Sequence, residues 1–286
     1  MPRFSTAKFN VRFPFGMIEL YDENIPLEVS VTGWSPFIPI DEDNSSLPVA
    51  GIEYTFSNSS GQQQDGVFSF NTENFMKVNI PQESGSSNQV NNSILPFPDG
   101  VLLWQEGNVD PRHEGGFGIS IPDEEVIVDH CWFRGGWFDP LSLIWKKIDN
   151  QDTSPVEPVE SGAPGASIFV PFSLEPGKSK TIKVLLSWHV PFSELRRGSE
   201  PDETVNEDAV CCNPETYKPW YSGKFRTAKE VGEYWNSNYD KLRDQSKLFS
   251  ETFYDSSLPD EVLEAISANL TILKSPTVLR QQDGRM

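Results

Sequence analysis

Carboxylates that neighbour tryptophans are the residues of this chain with the most obvious chemical potential. Glu106, Asp110, Asp139 and Glu194 each lie near a tryptophan in the sequence. Two carboxyl groups about 5–5.5 Å apart can act as nucleophile and acid/base on a glycosidic bond. The chain holds 42 acidic residues, however, so such neighbours are expected by chance. We therefore assign no catalytic residue to these positions.

A metal site would need histidines, cysteines or carboxylates at suitable spacing. His113, His130, His189 and Cys131 match no zinc spacing, and only His130 and Cys131 are close in sequence. Adjacent strand residues point to opposite faces, so these two would not share an ion. The acidic run at 41–44 lacks the spacing and the glycine of an EF-hand loop. We predict no metal and no cofactor, and we interpret the acidic run as a solvated turn.

Tryptophans can serve as sugar platforms, because the apolar face of a pyranose stacks on an aromatic ring. Trp132 and Trp137 flank the flexible pair Gly135–Gly136, which indicates a loop. Trp104 and Trp188 lie in strand-like runs and are expected in the core, because large aromatics usually serve packing first. Trp132 and Trp137 are therefore the candidate substrate-binding residues.

Period-two patterns dominate the first two thirds of the chain and predict strands. Apolar residues recur at every second position in 25–31, 50–56, 168–174 and 182–188. The last two runs flank a Pro-Gly pair in 175–178, in the order that a type II turn needs, and we interpret them as a hairpin. One-sided alternation is typical of antiparallel sheets with one buried face. The fold class predicted is a large antiparallel β-sandwich, mostly β.

Two helices are predicted after the strands, which divides the chain into residues 1–225 and 226–286. Thr227 and Glu230 fit a capping box at the start of the first helix. A second helix starts near Pro259, which is tolerated in a first turn. The apolar stripes of the two helices are Val231, Tyr234, Trp235, Leu242, Phe249 and Phe253, then Val262, Ile266, Leu270 and Leu273. Such stripes must lie on the sandwich or begin a helical domain that this chain does not contain.

The last residues of the chain predict half of a hairpin. Residues 275–280 have the pattern of a strand, and Gln282-Asp283-Gly284 has that of a tight turn. Such a turn normally leads into a second strand that pairs with the first. We therefore expect the chain to be a piece of a longer protein or a separately encoded half.

Composition excludes several classes of partner. The formal charge of −19 disfavours nucleic acid, because an acidic surface repels phosphate. No apolar run is long enough for a transmembrane segment, and the N-terminus lacks the pattern of a secretory signal. Three cysteines, two of them adjacent, do not form a disulfide framework. We expect a cytoplasmic protein, with peripheral contact to membranes left open.

Three stretches of the sequence carry a family resemblance. The segment "GWSPFIPIDEDNSSLPVAGIEYTFSN", from Gly33, combines a proline-fixed corner, a polar turn and a strand. "LSWHVP", from Leu186, ends a predicted strand. The strongest match is "YWNSNYDKLRDQSKLFSETFYDSSLPDEVLEAISANLTILKSPTVLRQQDGR", from Tyr234. Together they resemble the N-terminal domain and junction of glycoside hydrolase family 116, the β-glucosidases that include non-lysosomal glucosylceramidase (bile acid β-glucosidase).

The resemblance implies a fold and a division of labour. Family members pack an N-terminal β-sandwich on a C-terminal (α/α)₆ barrel, and they hydrolyse β-glucosides with retention. Their glutamate nucleophile and aspartate acid/base lie in the barrel, and no position of this chain matches either motif. The resemblance therefore implies a non-catalytic domain, inactive alone, whose partner is the missing helical catalytic domain and whose substrate is a β-glucoside or glycolipid such as glucosylceramide.

A second hypothesis belongs to a different class. The chain could stand alone as a carbohydrate-binding or scaffolding sandwich with exposed aromatics. An intact enzyme of another class finds no support, because the sequence lacks both a Gly-x-Ser-x-Gly elbow and a dinucleotide-binding fingerprint. The two predicted helices favour the first hypothesis, because large exposed apolar patches usually mark an interface.

Overall fold

The architecture has three layers: a small sheet, a large sheet and a long helix. The computed structural model describes residues 3–77, 79–80, 88–89, 91–107, 110–137, 139–193, 218–275 and 279–284. The predicted fold class, a mostly β antiparallel sandwich followed by C-terminal helices, is confirmed.

The secondary structure of the described residues follows the chain in this order. The strands are β1 (Thr6–Arg12), β2 (Phe15–Tyr21), β3 (Leu27–Trp34), β4 (Val49–Asn58), β5 (Gln64–Glu73), β6 (Asn79–Ile80), β7 (Asn88–Gln89), β8 (Asn92–Phe97), β9 (Gly100–Gln105), β10 (Gly115–Ser120), β11 (Ile127–Asp129), β12 (Gly165–Leu174) and β13 (Ser179–His189). The helices are α1 (Glu42–Ser45), α2 (Pro140–Asp149), α3 (Trp220–Lys224), α4 (Ala228–Tyr254) and α5 (Asp260–Leu270), with 3₁₀ turns at Pro111–His113 and Thr271–Lys274.

The large sheet has the strand order β1-β2-β3-β4-β13-β10-β9-β8, and the small sheet has the order β11-β12-β5. Strands β6 and β7 pair only with each other. Neighbouring strands run antiparallel throughout. Strand β13 lies near the middle of the large sheet, between β4 and β10.

The hairpin predicted from β12 and β13 is wrong, although the turn between them is right. Lys178 N–H donates to the Glu175 carbonyl (3.1 Å), and Gly177 has the positive φ of 73° that a type II turn requires. The two strands belong to different sheets, because β12 pairs with β5 and β11. Buried Asn58 fixes this crossing by donating to the Leu174 carbonyl (2.9 Å). The turn therefore connects the two layers of the sandwich.

The main core lies between the two sheets. Its buried residues come from alternate positions on strands of both layers: Phe68, Ile94, Val101, Leu103, Ile119, Ile168, Val170, Ile182 and Val184, among others. Aromatic contacts strengthen the join, since the Tyr54 and Phe68 rings lie 4.8 Å apart and the Phe56 and Phe172 rings stack at 5.0 Å. The predicted alternation at 50–56 and 182–188 thus supplies one wall of this core.

A second core lies on the opposite face of the large sheet, beneath α4. Its buried members are Trp34, Leu47, Val49, Leu185, Phe225, Val231, Trp235, Tyr239 and Leu242. Thr227 caps the helix by accepting from Glu230 N–H (3.2 Å), as the capping box predicts. The Glu230 carboxylate accepts from Arg226 N–H instead of closing the box on Thr227. The sequence left open whether this helix lies on the sandwich or begins a separate helical domain. The structure shows that α4 lies on the sandwich.

One buried carboxylate fixes α4 against the sheet. Glu53 on β4 accepts from Tyr239 Oη (2.7 Å) and from both Nε and Nη2 (2.7 Å) of Arg243. Tyr239 in turn accepts from Trp34 Nε1 (3.0 Å). Burial raises the pKa of Tyr239, and the bond to Glu53 raises the pKa of Arg243. The charge on Glu53 is thus compensated, which a buried carboxylate requires.

We predict that Glu53→Gln lowers the free energy of unfolding by about 2–3 kcal/mol, because it leaves the half-buried Arg243 without its counter-ion. The measurement is the urea midpoint of the whole chain. Asp240→Asn is the matched control, since it breaks the solvent-exposed pair with Lys183 beside the same helix and should cost under about 1 kcal/mol. Equal losses in the two variants would show that the Glu53 network does not hold α4.

Candidate functional face at the loop end of the sandwich

The two ends of the sandwich differ in their connections. Short turns at 22–26, 59–63, 98–99, 121–126 and 175–178 close one end. The chain leaves the opposite end, here called the loop end, after β3, β5, β9, β11 and β13, and it returns there at the start of β4, β8, β10 and β12. The ends of both sheets meet there, because Gly162 N–H donates to the Asn92 carbonyl and Asn74 Nδ2 donates to Asn92 Oδ1 (3.2 Å). Function is concentrated on loops that a rigid scaffold positions, so the loop end is the candidate functional face.

The two candidate substrate-binding tryptophans occupy different environments on this face. Trp132 is only 3% exposed, and its Nε1 donates to Ser167 Oγ (2.8 Å). A Cβ added at Gly165 would lie 2.5 Å from the Trp132 ring, so the glycine makes room for the indole. Trp137 is 94% exposed. Only Trp137 presents a free ring to solvent, while Trp132 has the contacts of a core residue.

An ion pair joins the two elements that flank the loop carrying Trp137. Lys147 Nζ on α2 donates to Asp129 Oδ2 (2.7 Å) at the end of β11. Asp129 is buried, and its other oxygen accepts from Cys131 N–H (3.1 Å). The segment between β11 and α2 is thus fixed at both ends, with Trp137 between them.

Two of the candidate carboxylates, Asp110 and Asp139, are engaged in local hydrogen bonds. Asp110 binds the Arg112 guanidinium, and these hydrogen bonds lower the pKa of Asp110 to about 2. Asp139 caps α2 through Ser142 N–H (3.0 Å), and its bond to the Ser142 hydroxyl (2.8 Å) lowers its pKa. Both carboxylates therefore have structural roles. Glu194 lies outside the described residues, and Glu106 keeps one buried oxygen without a described partner.

The histidines and the cysteine are also dispersed. Within the described part of the chain, no three His, Cys, Asp or Glu side chains come together as a metal site. His189 is buried, which lowers its pKa, and its Nε2 lies 3.0 Å from the Phe225 carbonyl oxygen. His130 Nδ1 lies 3.1 Å from the Val156 carbonyl oxygen. Cys131 is a free thiol whose pKa is raised by burial. These contacts tie strand ends to loops.

The acidic run at 41–44 has a more specific role than a solvated turn. Asp41 caps α1 by accepting from Asn44 N–H (3.0 Å). Asp43 accepts from Arg280 Nη1 (2.9 Å), and the Arg280 guanidinium lies over the Trp220 ring at 4.2 Å from its centre. This set of three residues, Asp43, Arg280 and Trp220, is called the C-terminal clamp. No local sequence pattern indicates it, because 237 positions separate Asp43 from Arg280.

The C-terminal turn forms as predicted, but the described residues just before it do not form the predicted strand. Gly284 N–H donates to the Gln281 carbonyl (2.9 Å), and Gly284 has a φ of 88°. Residues 276–278 lie outside the described part of the chain, and Leu279 and Arg280 are not in a strand. Gln281 instead forms an antiparallel bridge with Pro219, and Trp220 N–H donates to the Arg280 carbonyl (2.9 Å). Pro219, just before α3, is thus the pairing partner of Gln281, where the sequence had predicted pairing with a later strand.

The α5 region remains largely uncovered by the described residues. Leu263 is buried, but Leu258, Val262, Ile266, Ile272 and Leu273 are 39% to 53% exposed. These five residues are called the α5 face. Helix α4, by contrast, buries the sheet-facing part of its predicted stripe. The two predicted helices therefore differ, and the stripe of the second remains open to solvent.

Comparison with known proteins decides the family. The N-terminal domain model described as beta-glucosidase 2, glycosyl-hydrolase family 116, matches residues 2–242. The chain belongs to glycosyl-hydrolase family 116. The match runs through Leu242, so it includes the half of α4 that is buried against the sheet. The chain is thus a glycoside hydrolase N-terminal domain. Its main core and its second core both lie within the matched residues.

Solved structures resemble the chain only distantly. A protein described as a kojibiose phosphorylase from the human microbiome is 9% identical, with a TM-score of 0.44 over 87% of this chain and 26% of that one. The galactosidase domain of the α-galactosidase–sucrose kinase AgaSK is 10% identical, with a TM-score of 0.27 over 65% of this chain and 27% of that one. The GH36 α-galactosidase AgaB from Geobacillus stearothermophilus is 12% identical, with a TM-score of 0.28 over 66% of this chain and 26% of that one.

The chain therefore spans about a quarter of the length of these solved structures. Scores at this level carry no argument about function. No curated protein matches the sequence. No helix in the described ranges is long and apolar enough to cross a membrane.

The C-terminal clamp predicts a local loss of protection on mutation. Arg280→Lys keeps a cation but loses the planar stack on Trp220, so we expect amide exchange at Trp220 and Gln282 to accelerate about fivefold. Arg280→Ala should accelerate it further. The control is Arg226→Ala, which removes a guanidinium from the exposed pair with Glu230. Unchanged exchange in both Arg280 variants would contradict the clamp.

Lys274 predicts a pH dependence of stability. Its Nζ donates to the Ser45 carbonyl (2.6 Å), and burial lowers the pKa of Lys274 to about 8. Between that value and the unfolded value of about 10.4, the unfolded chain binds a proton that the folded chain has released, so stability rises with pH. Lys274→Met should remove this contribution, seen as a smaller rise in urea midpoint from pH 8 to 10. The exposed Lys229→Met is the control, and identical pH profiles in wild type and Lys274→Met would contradict the prediction.

Proposed function

We propose that the chain is the non-catalytic domain of a retaining β-glucosidase that acts on β-glucosides such as glucosylceramide. Its partner would be a helical catalytic domain that supplies both carboxylates. The family match over residues 2–242 is the observation that carries this proposal. The described residues support it, because Asp110 and Asp139 are engaged in local structural hydrogen bonds.

The α5 face supports a helical partner. Exposed apolar patches of this kind usually mark an interface. Helix α4 shows the contrast, because its apolar residues are buried against the large sheet. The junction begins at residue 226 in this proposal, with residues 1–225 as the sandwich and 226–286 as the connection. In this proposal, α4 packs on the sandwich, and the α5 face binds the helical catalytic domain.

Trp137 supports a contact with the substrate. The ring is almost fully exposed on the loop end, and the Asp129–Lys147 pair holds the segment on both sides of it. We propose that Trp137 stacks on a sugar at the rim of the partner's active site, and that Trp132 anchors the same loop from below. A cytoplasmic location is part of the proposal, and the free thiol of Cys131 is consistent with it.

A carbohydrate-binding module that acts alone is the second candidate. The exposed Trp137 ring favours it, because such modules present aromatics to solvent. Calorimetric titration of the chain with cellobiose separates the two candidates. Saturable binding that Trp137→Ala abolishes would support the module, and the absence of binding to the isolated chain supports the domain of an enzyme.

The experiment that tests the proposed function uses a helical domain of a family 116 β-glucosidase, produced separately. We expect the 286-residue chain alone to be inactive on aryl β-glucosides, and the mixture to hydrolyse them with release of the β-anomer, followed by NMR. Val262→Asp with Ile266→Asp should weaken association about tenfold or more, because both replace exposed apolar residues of the α5 face.

Val67→Asp is the matched control for that interface, since Val67 is an exposed apolar residue on β5 of the small sheet. It should leave association unchanged. Hydrolysis by the purified chain alone would overturn the division of labour. Equal association of the α5-face variant and the wild type would overturn the proposed docking surface.

A further inference from the structure

A groove separates the β1–β2 hairpin from the second half of α4. Its volume is about 670 Å³, within the range of small-molecule sites, which is about 300–1,000 Å³. Strands β1 and β2 supply one wall, and the helix residues Arg243, Lys247, Ser250 and Glu251 supply the other. The lining residues belong neither to the long connections of the loop end nor to the α5 face, so this groove is independent of the proposed function.

The charge of this groove is opposite to that of the molecule. Its lining contains three cations, Arg12, Arg243 and Lys247, and one carboxylate, Glu251. The whole chain carries 23 basic and 42 acidic residues. A cationic groove on so acidic a protein attracts a negative group locally, where the general surface repels it.

Two of the three cations are available to a ligand. Arg243 is committed to Glu53. The Arg12 guanidinium lies 5.4 Å from the centre of the Tyr254 ring and has no carboxylate partner among the described residues. Lys247 reaches Glu251 only at 3.5 Å, in a pair whose side chains are more than half exposed, and such a pair contributes little. Arg12 and Lys247 can therefore turn their donors to a bound anion.

The rest of the lining is partly polar, from Asn10, Thr32 and Ser250, and partly apolar. Phe15 and Met17 on β2 are partly buried and lie on the same face of the hairpin as Arg12, because Arg12 pairs with Phe15 across it. Covering this surface with an apolar body is favourable by about 25 cal/mol for each Å² removed from water. Charge-assisted bonds from Arg12 and Lys247 would fix the opposite end of such a body.

We propose that this groove binds a small amphipathic anion, that is, an apolar chain or ring system carrying one carboxylate, sulfate or phosphate. The apolar body lies along Phe15 and Met17, and the anionic group lies between Arg12 and Lys247. The proposed ligand is a free monomer, and contact with a bilayer surface is the alternative that the experiment below separates.

Calorimetric titration of the whole chain with decanoate, below its micelle concentration, tests the proposal. We expect saturable 1:1 binding of decanoate and no saturable binding of decyltrimethylammonium, which has the same chain and the opposite charge. This order is the reverse of what the net charge of −19 would produce through general attraction. Tighter binding of the cation would overturn the proposal.

Variants place the site. Lys247→Ala and Arg12→Ala should each weaken decanoate binding about tenfold, the loss expected for one charge-assisted bond, and Met17→Asp should abolish it. Lys229→Ala is the matched control, because Lys229 lies on the same helix, pairs with Glu233 four residues on, and does not line the groove. Circular dichroism verifies that each variant folds.

Three results would contradict the assignment. Equal weakening by Lys229→Ala and Lys247→Ala would show a general charge effect. Unsaturable decanoate binding would show that no site exists. Binding to phosphatidylglycerol vesicles without binding to monomeric decanoate would show a membrane-contact surface instead of a ligand groove.

Discussion

The large sheet has two apolar faces, and both must be covered for the chain to fold. Strand β13 shows the constraint in its sequence: Ile182 and Val184 point to the small sheet, while Leu185 next to them points to α4. An antiparallel sheet usually leaves one face to water, so a sheet of this composition needs a second cover. Helix α4 is that cover, and it buries Val231, Trp235 and Leu242 against the sheet.

The position of α4 follows from polar contacts as well as from burial. Apolar packing is non-directional, so Trp235 and Leu242 alone would tolerate a sliding helix. Glu53 removes that freedom, because its two oxygens must meet Tyr239 and Arg243 together. With α4 fixed, the chain reaches α5 and the C-terminal clamp at defined places, and Asp43 can meet Arg280. The cationic groove is a further result, since it is the space between the fixed helix and the β1–β2 hairpin.

Local features could be predicted from the sequence, and long-range partners could not. The alternation in β4 and β13, the Thr227 cap and the turns at 175–178 and 282–284 depend on neighbouring residues, and the structure confirms them. The prediction that β12 pairs with β13 was wrong. An alternating sequence pattern indicates which face of a sheet a residue occupies, but it does not indicate which strand lies next to it.

The same limit applies to the candidate site. An aromatic beside a Gly-Gly pair predicts a loop, but whether its ring is exposed depends on Gly165 and Ser167, more than 30 positions from Trp132. No local pattern distinguished α4, whose stripe meets the sheet, from α5, whose stripe does not. That difference arises from the geometry of the junction, since Leu263 reaches a buried position and Val262 and Ile266 do not.

Hydrogen exchange of the whole chain distinguishes α4, which packs on the large sheet, from α5, whose apolar residues are exposed. Amides that open only in global unfolding exchange together, whereas locally opened helices exchange faster. We expect the amides around Trp235 and Leu242 to be protected to the same level as those of β13. The amides around Val262 and Ile266 should exchange far faster. Exchange of the Trp235 region at the rate of the Val262 region would contradict it.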